Sequence, residues 1–132
     1  MPTVKMVEYE DASPEVRAVY DDFMEVRGTD FVPNFWRTIA AHPPTLKRLW
    51  EGIKQVMAPG RLDPLTKEMI AIAVSATNGC EYCIRSHTAA ARKLGMDDET
   101  QGELMAVVGM FNQTNKIIFG YQVDVDEAFM GD

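Results

Sequence analysis

Two cysteines and a histidine lie close together in the stretch NGCEYCIRSHTAAARKLG, which runs from Asn78 to Gly95. Cys80 and Cys83 are the only cysteines of the 132-residue chain, and His87 follows the second of them by four positions. A Cys-x-x-Cys pair can bind a metal ion, form a structural disulfide or carry redox chemistry. The rest of the sequence has to discriminate among these three kinds of site.

The composition is that of a soluble globular protein, and it narrows the possible partners. Apolar residues make up 46% of the chain, and no apolar run approaches the roughly 20 residues that a membrane-spanning helix needs. The formal net charge of −7 argues against nucleic acid or an anionic membrane as a partner, because both need a basic surface. The first residues, MPTVKMVEYEDASPE, contain no apolar core of a secretion signal, so we expect a cytoplasmic protein. In a reducing cytosol, a Cys-x-x-Cys pair favours metal binding or redox chemistry over a structural disulfide.

Helical periodicity and helix-terminating residues predict an all-α fold of six or seven helices, forming a single domain over residues 1–132. In chain order, the predicted helices run from Ser13 to Gly28, from Asn34 to Pro43, up to Pro59-Gly60, from Asp63 to Asn78-Gly79, from Cys80 to Gly95, and from Asp97 or Asp98 onward. The segment MIAIAVSA is apolar on nearly every side, so its helix is expected to be buried in a core or between subunits. The last segment, NQTNKIIFGYQVDVDEAFMGD, begins as a helix and continues into an acidic tail.

Cys80 follows the expected helix break, which places it at or just before the first turn of the next helix. Unpaired backbone N–H groups and the helix dipole at that end stabilise a thiolate over a thiol and favour a nucleophile. Cys80, Cys83 and His87 share one helix face, and His87 lies one turn beyond Cys83, where it can act as a base or relay a proton. Glu68 lies near the start of the preceding helix. Its position relative to the cysteines does not follow from spacing alone, but an inward Glu68 would be a partly buried acid beside the histidine.

Two other kinds of site are disfavoured by the surrounding sequence. A zinc ion could use Cys80, Cys83, His87 and Glu68, but structural zinc usually takes two separated ligand pairs and the second pair is missing. A thioredoxin-type site needs a strand before the cysteines and a βαβ context, which this chain lacks. We therefore expect neither a metal ion nor a cofactor. His42, in AAHPPTLKRL, is interpreted as a loop-capping residue before two prolines.

Glu68, eleven further residues, Cys80-Glu81-Tyr82-Cys83, three residues and His87 form the pattern E-x11-C-x-x-C-x3-H. This pattern resembles the alkylhydroperoxidase D-like branch of the carboxymuconolactone decarboxylase superfamily. The segments VPNFWRTIAAHPPTLKRLW, LDPLTKEMIAIAVSATNGCEYC and HTAAARKLGMDDET are also similar to the family, so the resemblance covers roughly residues 33–113. It implies an all-helical fold in which the cysteine helix packs against the helix before it, and subunits joined as trimers or hexamers.

Peroxidase members of this family reduce organic hydroperoxides. The resemblance implies that Cys83 is the peroxidatic thiol and becomes a sulfenic acid, and that Cys80 resolves it to a disulfide. A dithiol or protein-disulfide reductant then reopens that disulfide, and His87 and Glu68 form a proton relay. The helix-start position of Cys80 favours Cys80 as the more reactive thiolate. The two assignments agree only if Cys80 faces solvent and Cys83 faces Glu68 and His87.

The residues between the cysteines depart from the family pattern. The well-described peroxidase has a histidine there, whereas this chain has Glu81 and Tyr82, and an anionic Glu81 opposes a thiolate at Cys80 unless it points away. The decarboxylase members lack the cysteine pair, so the pair argues against decarboxylation. We predict a cofactor-free, thiol-dependent hydroperoxidase. A redox-sensing or disulfide-exchange protein with little turnover is the alternative, and a metal-binding domain is a weaker third. The nine methionines and the all-round apolar helix are further reasons to expect a homo-oligomer.

Overall fold

The computed structural model describes residues 1–131, which contain six α-helices and two short 3-10 turns, with no β-strand among them. The helices are α1 (Pro14–Arg27), α2 (Asn34–Ile39), α3 (Pro43–Met57), α4 (Pro64–Asn78), α5 (Glu81–Lys93) and α6 (Asp98–Tyr121), and the turns are Tyr9–Asp11 and Glu127–Phe129. The predicted all-α class is therefore confirmed, with six helices, because the last two predicted segments form one continuous α6. Asp132, at the end of the expected acidic tail, lies outside the described residues.

Most of the predicted helix boundaries have the expected capping contacts. The Ser13 hydroxyl accepts a hydrogen bond from the Val16 N–H at 3.3 Å, and α1 ends at Gly28, whose φ of 62° is left-handed. The Asp63 and Asp97 carboxylates likewise cap α4 and α6. With the Cys80 sulfur, which caps α5, side-chain capping thus defines the start of four of the six helices.

The predicted start of α2 is wrong by one residue. Pro33 occupies the N-cap position of α2, and Asn34 is its first helical residue. The Asn34 side chain accepts from Arg37 instead of from a backbone N–H, so it does not act as a cap. The predicted stop of α5 at Gly95 is confirmed: α5 ends at Lys93 with Leu94 as its C-cap, and Gly95 follows with a left-handed φ of 104°. The Gly95 and Met96 N–H groups donate to the carbonyls of Arg92 and Ala91, which closes the helix end.

Backbone proximity divides the chain into two compact units, Met1–Ala58 and a second unit that begins at Pro59. In the first unit, α1 and α2 both pack on α3 around an aromatic core. Its most buried large side chains are Tyr20, Phe23, Trp36, Leu46 and Trp50. The single-domain organisation stays a prediction.

The second unit is built on α4, which packs against both α5 and α6. Its small core contains Ile72, Ala91 and Met96. The MIAIAVSA segment is buried on one face, which carries Ile72 and Ser75. On its other face Ile70 and Val74 are 48% and 54% exposed, so this chain alone does not bury the whole segment. No helix within the described residues is both long enough and apolar enough to cross a membrane. The cytoplasmic location stays a prediction.

Candidate active site

The cysteine pair lies at the N-terminus of α5, immediately after a sharp turn. Gly79 adopts a left-handed φ of 71°, which ends α4 and turns the chain towards α5. The next residue, Cys80, is the N-cap of α5, and its Sγ accepts a hydrogen bond from the Cys83 N–H at 3.3 Å. Cys80 and Cys83 are joined by a disulfide, with their Cα atoms 5.3 Å apart. The prediction that Cys80 lies just before the first turn is confirmed.

Glu68 and His87 form a partly buried contact between α4 and α5. Glu68 is only 6% exposed, and its Oε2 lies 2.7 Å from Nδ1 of His87. The spacing had left the direction of Glu68 open, and the structure shows that it points inward. A carboxylate at this position would accept a hydrogen bond from an Nδ1–H of His87, and Nε2 would then be available for another group.

The acid–histidine pair is closer along the helix to Cys83 than to Cys80. His87 follows Cys83 by four residues, about 6 Å along the axis, and follows Cys80 by seven, about 10 Å. The hydrogen bonds described for residues 1–131 include none between His87 and either sulfur. The four residues predicted for the site are therefore present as two neighbouring pairs, a disulfide and a carboxylate–imidazole contact. The His87 side chain is 34% exposed.

The outer face of α5 carries the two residues that depart from the family pattern. The Glu81 carboxylate is 3.0 Å from Nε of Arg85, and both side chains are 79% exposed. Glu81 therefore points into solvent with a cation beside it, which reduces its repulsion of a thiolate at Cys80. Tyr82 is 44% exposed on the same turn.

Sequence reasoning missed two polar groups of this unit. Ser75 is 8% exposed, its hydroxyl donates to the Ala71 carbonyl at 2.6 Å, and its own carbonyl accepts the Cys80 N–H at 3.0 Å. Ser75 follows Glu68 by seven residues, so a search for polar residues on the buried face of α4 could have found it. The Thr88 hydroxyl, next to His87 in the chain, is buried and has no hydrogen-bond partner among the described residues. No sequence signal pointed to Thr88.

The potential metal ligands are engaged in other contacts in this state. Among the described residues, no group of three or more His, Cys, Asp or Glu side chains is arranged to hold a metal ion. The second histidine, His42, lies in the first unit as the N-cap residue of α3, and its Nδ1 is 2.8 Å from Oγ1 of Thr45. That contact agrees with the interpretation of His42 as a capping residue.

Residues 43–123, well over half of the chain, match the carboxymuconolactone decarboxylase family. The chain belongs to this family. A crystal structure described as the alkylhydroperoxidase AhpD core from Rhodospirillum rubrum is 49% identical to this chain and superposes with a TM-score of 0.95. That comparison covers 100% of this chain and 99% of the other, so the predicted alkylhydroperoxidase D-like fold is confirmed.

One curated protein is similar to part of this chain. "Uncharacterized protein 4 in cox locus" from Paracoccus denitrificans is 44% identical over 46 residues. The match covers 35% of this chain and 41% of the relative, so the chain spans less than half of that protein's length.

Proposed function

We propose that this protein is a thiol-dependent hydroperoxidase that cycles between a Cys80/Cys83 dithiol and the Cys80–Cys83 disulfide. The observation that carries the proposal is a disulfide at a helix N-terminus, one turn from a pair in which the buried Glu68 carboxylate contacts His87. The 49% identical structure described as an alkylhydroperoxidase core supports the same chemistry. The pair of thiols makes decarboxylation the less fitting of the two activities associated with the family.

Cys83 is proposed as the thiol that reacts with peroxide, because it is the cysteine nearer to His87 along α5. Its proton passes to Nε2 of His87, which leaves a thiolate and an imidazolium. The thiolate attacks the terminal oxygen of an organic hydroperoxide ROOH, so that a sulfur–oxygen bond forms and the oxygen–oxygen bond breaks. The departing RO⁻ takes the proton from His87 and leaves as the alcohol ROH.

Cys80 is proposed as the resolving thiol. It attacks the sulfur of the Cys83 sulfenic acid, the disulfide forms, and the hydroxyl leaves as water with the Cys80 proton. Each turnover thus converts two thiols and one ROOH into one disulfide, one ROH and one water. An external dithiol, small or on a protein, returns two electrons and two protons. The helix N-terminus suits Cys80 for this exchange, because its sulfur already accepts a backbone N–H.

Glu68 is proposed to orient His87 and to stabilise the imidazolium. Its carboxylate bonds to Nδ1, which directs Nε2 towards the remaining proton partner. Because Glu68 is almost fully buried, solvent screens this interaction little. The arrangement lets one imidazole accept the thiol proton and donate it to the leaving alkoxide.

The proposal is tested by following the consumption of cumene hydroperoxide with dithiothreitol as reductant. We expect turnover by the wild type and by Ser86→Ala, an exposed change on α5, and none by Cys83→Ser or Cys80→Ser. Reduced Cys80→Ser should consume one equivalent of peroxide and form a sulfenic acid that dimedone traps, whereas Cys83→Ser should consume none. A single-equivalent reaction in Cys83→Ser instead would reverse the two cysteine roles. A wild type that forms the disulfide but does not cycle would favour a redox sensor or disulfide-exchange protein.

A further inference from the structure

The turn that joins α4 to α5 bonds Ser75 to Cys80 through the backbone. The Cys80 N–H donates to the Ser75 carbonyl at 3.0 Å, and the Gly79 N–H donates to the Ala76 carbonyl at 3.3 Å. Together with the left-handed conformation of Gly79, these two bonds define a Schellman motif. In this motif the side chains of the two residues joined by the longer bond are commonly in contact. Ser75 and Cys80 occupy these two contact positions at the end of α4.

The same pair of backbone bonds ends α1, α5 and α6, which allows a comparison within the chain. At the end of α5 the contact positions hold Ala91 and Met96, which pack together in one core cluster. At the end of α6 they hold Ile118 and Val123, and at the end of α1 the first of them is Met24. Among these four helix ends of residues 1–131, the end of α4 alone places a hydroxyl beside a thiol. A polar pair therefore replaces the usual apolar contact at the candidate active site.

Ser75 belongs to the face of α4 that is buried. The buried residues of this helix are Glu68, Ile72 and Ser75, at intervals of four and three residues, so they lie on one face. The carboxylate at one end of this face contacts His87. The hydroxyl at the other end lies at the turn to Cys80. One buried helix face thus carries a polar side chain for each half of the site.

The Ser75 hydroxyl can change its hydrogen-bond partner without leaving a carbonyl unpaired. It donates to the Ala71 carbonyl at 2.6 Å, and the helical backbone N–H of Ser75 donates to that same carbonyl. A serine hydroxyl has one proton, so it serves one acceptor at a time. In the disulfide the Cys80 sulfur is neutral, whereas a thiolate carries a full charge, and hydrogen bonds to charged acceptors are roughly twice as strong as neutral ones. Reduction therefore creates a stronger acceptor beside the hydroxyl.

We propose that in the reduced protein the Ser75 hydroxyl donates a hydrogen bond to the Cys80 thiolate and thereby speeds the resolving step. This inference rests on the proposed function, in which Cys80 attacks the sulfenic acid of Cys83. Two donors then stabilise the thiolate, namely this hydroxyl and the Cys83 N–H that already bonds to the Cys80 sulfur. The thiolate forms the sulfur–sulfur bond, the sulfur–oxygen bond of the sulfenic acid breaks, and the departing hydroxide takes up one proton, equal to the one that the thiol released, to form water.

The charged groups near the thiolate are held by other contacts. The exposed Glu81 carboxylate lies 3.0 Å from Arg85. His87 is about 10 Å further along α5 and is bonded to Glu68. On α6, Lys116 lines a groove against the opposite side of α4 from the hydroxyl. Removing the hydroxyl alone leaves all of these charges in place, so a change in thiol ionisation then reports the hydroxyl.

The direct test is a pH titration of the Cys80 thiol in reduced Cys83→Ser protein, followed by the ultraviolet absorbance of the thiolate. Ser75→Ala should move the titration midpoint up by about one pH unit, and Ser75→Thr, which keeps the hydroxyl, should leave it near the starting value. Thr77→Val is the matched control, because the Thr77 hydroxyl donates to the Ala73 carbonyl at 2.9 Å on another side of α4. An unchanged midpoint in Ser75→Ala, or an equal rise in Ser75→Thr or Thr77→Val, would overturn the proposal.

A second test follows the resolving step in protein that keeps both cysteines. At a pH below the midpoint, a rise of one unit leaves about tenfold less thiolate, but the more basic thiolate is roughly threefold more nucleophilic, so disulfide formation should slow about three- to fourfold. Reduced protein is mixed with cumene hydroperoxide and dimedone, which traps the Cys83 sulfenic acid. The ratio of trapped protein to disulfide should rise about three- to fourfold in Ser75→Ala and stay unchanged in Thr77→Val.

The two tests separate this inference from the proposed function. An unchanged trapping ratio in Ser75→Ala would overturn the role given to Ser75 even if the protein reduces hydroperoxides. A wild type that consumes no hydroperoxide would refute the proposed function. The titration contains no hydroperoxide, so it would still decide whether the Ser75 hydroxyl stabilises the Cys80 thiolate.

Discussion

Replacing Glu68 by glutamine removes one charge from the partly buried pair and leaves the shape of the side chain almost unchanged. The wild-type carboxylate lies 2.7 Å from Nδ1 of His87 and is 6% exposed. Glutamine can still accept a hydrogen bond through its carbonyl, so the main change is the loss of the charge that favours the imidazolium. The substitution is on α4, whereas the disulfide and the capping contact at Cys80 lie at the N-terminus of α5. Both should therefore be unaffected.

The size of the effect follows from the difference between two kinds of hydrogen bond. A bond to a charged group contributes about 1.5–3 kcal/mol, and a neutral one about 0.5–1.5 kcal/mol. The loss is therefore about 1–2 kcal/mol of stabilisation of the imidazolium that forms during the reaction. At about 1.4 kcal/mol per factor of ten, the rate of Cys83 oxidation should fall roughly 5- to 30-fold.

The assay is rapid-quench thiol counting of the reduced protein with excess cumene hydroperoxide. Glu81→Gln is the matched control, since it makes the same substitution at a glutamate that is 79% exposed on α5, the helix that carries His87. It should leave the rate within about twofold of wild type. Thermal unfolding verifies that both variants are folded. A Glu68→Gln rate equal to wild type in a folded protein, or an equal slowing by Glu81→Gln, would refute the role given to Glu68.

Three further predictions concern stability. The Lys54 ammonium and the Trp50 indole N–H, each 2.7 Å from Oδ2 of Asp22, hold the pKa of that carboxyl below its usual range. These contacts stabilise the folded protein fully above about pH 4, and their contribution is lost as the pH falls through the lowered pKa. The difference in free energy of unfolding between wild type and Asp22→Asn, measured in urea, should therefore shrink on acidification. A difference that does not change with pH would contradict this. Asp97→Ala, which removes the cap of α6, should lower the urea midpoint of unfolding, and an unchanged midpoint would oppose the capping role. Ile72→Ala, at a residue 1% exposed, should lower the free energy of unfolding by about 2–5 kcal/mol, and a change below about 1 kcal/mol would show that the site is loosely packed.

The helices and their ends were largely predictable because local chemistry defines them. Ser13, Asp63 and Asp97 act as caps through their own side chains, and Gly28 and Gly79 adopt left-handed conformations that other residues disfavour. The shift at α2 has a local cause as well: the Asn34 side chain bonds to a residue one turn on, which a pattern of single residues does not reveal.

The contact between Glu68 and His87 was not predictable from spacing, since it depends on how α4 and α5 pack. Their separation of nineteen positions in sequence gives no distance in space, and helix periodicity fixes only the face on which each residue lies. The exposure of apolar side chains in the second half of α6, such as Phe119, was also missed, because composition alone does not tell whether another element covers them. Tertiary packing, which a single sequence encodes only indirectly, decides both features.

The central claim, that Cys80 and Cys83 reduce a hydroperoxide by forming their mutual disulfide, is tested most directly by a single-turnover stoichiometry. Fully reduced wild-type protein is mixed with one equivalent of cumene hydroperoxide, and the alcohol formed, the thiols lost and the peptide linkage are measured together. The account predicts one alcohol formed, two thiols lost per chain and a Cys80–Cys83 linkage. Unreacted thiols with intact hydroperoxide would contradict it.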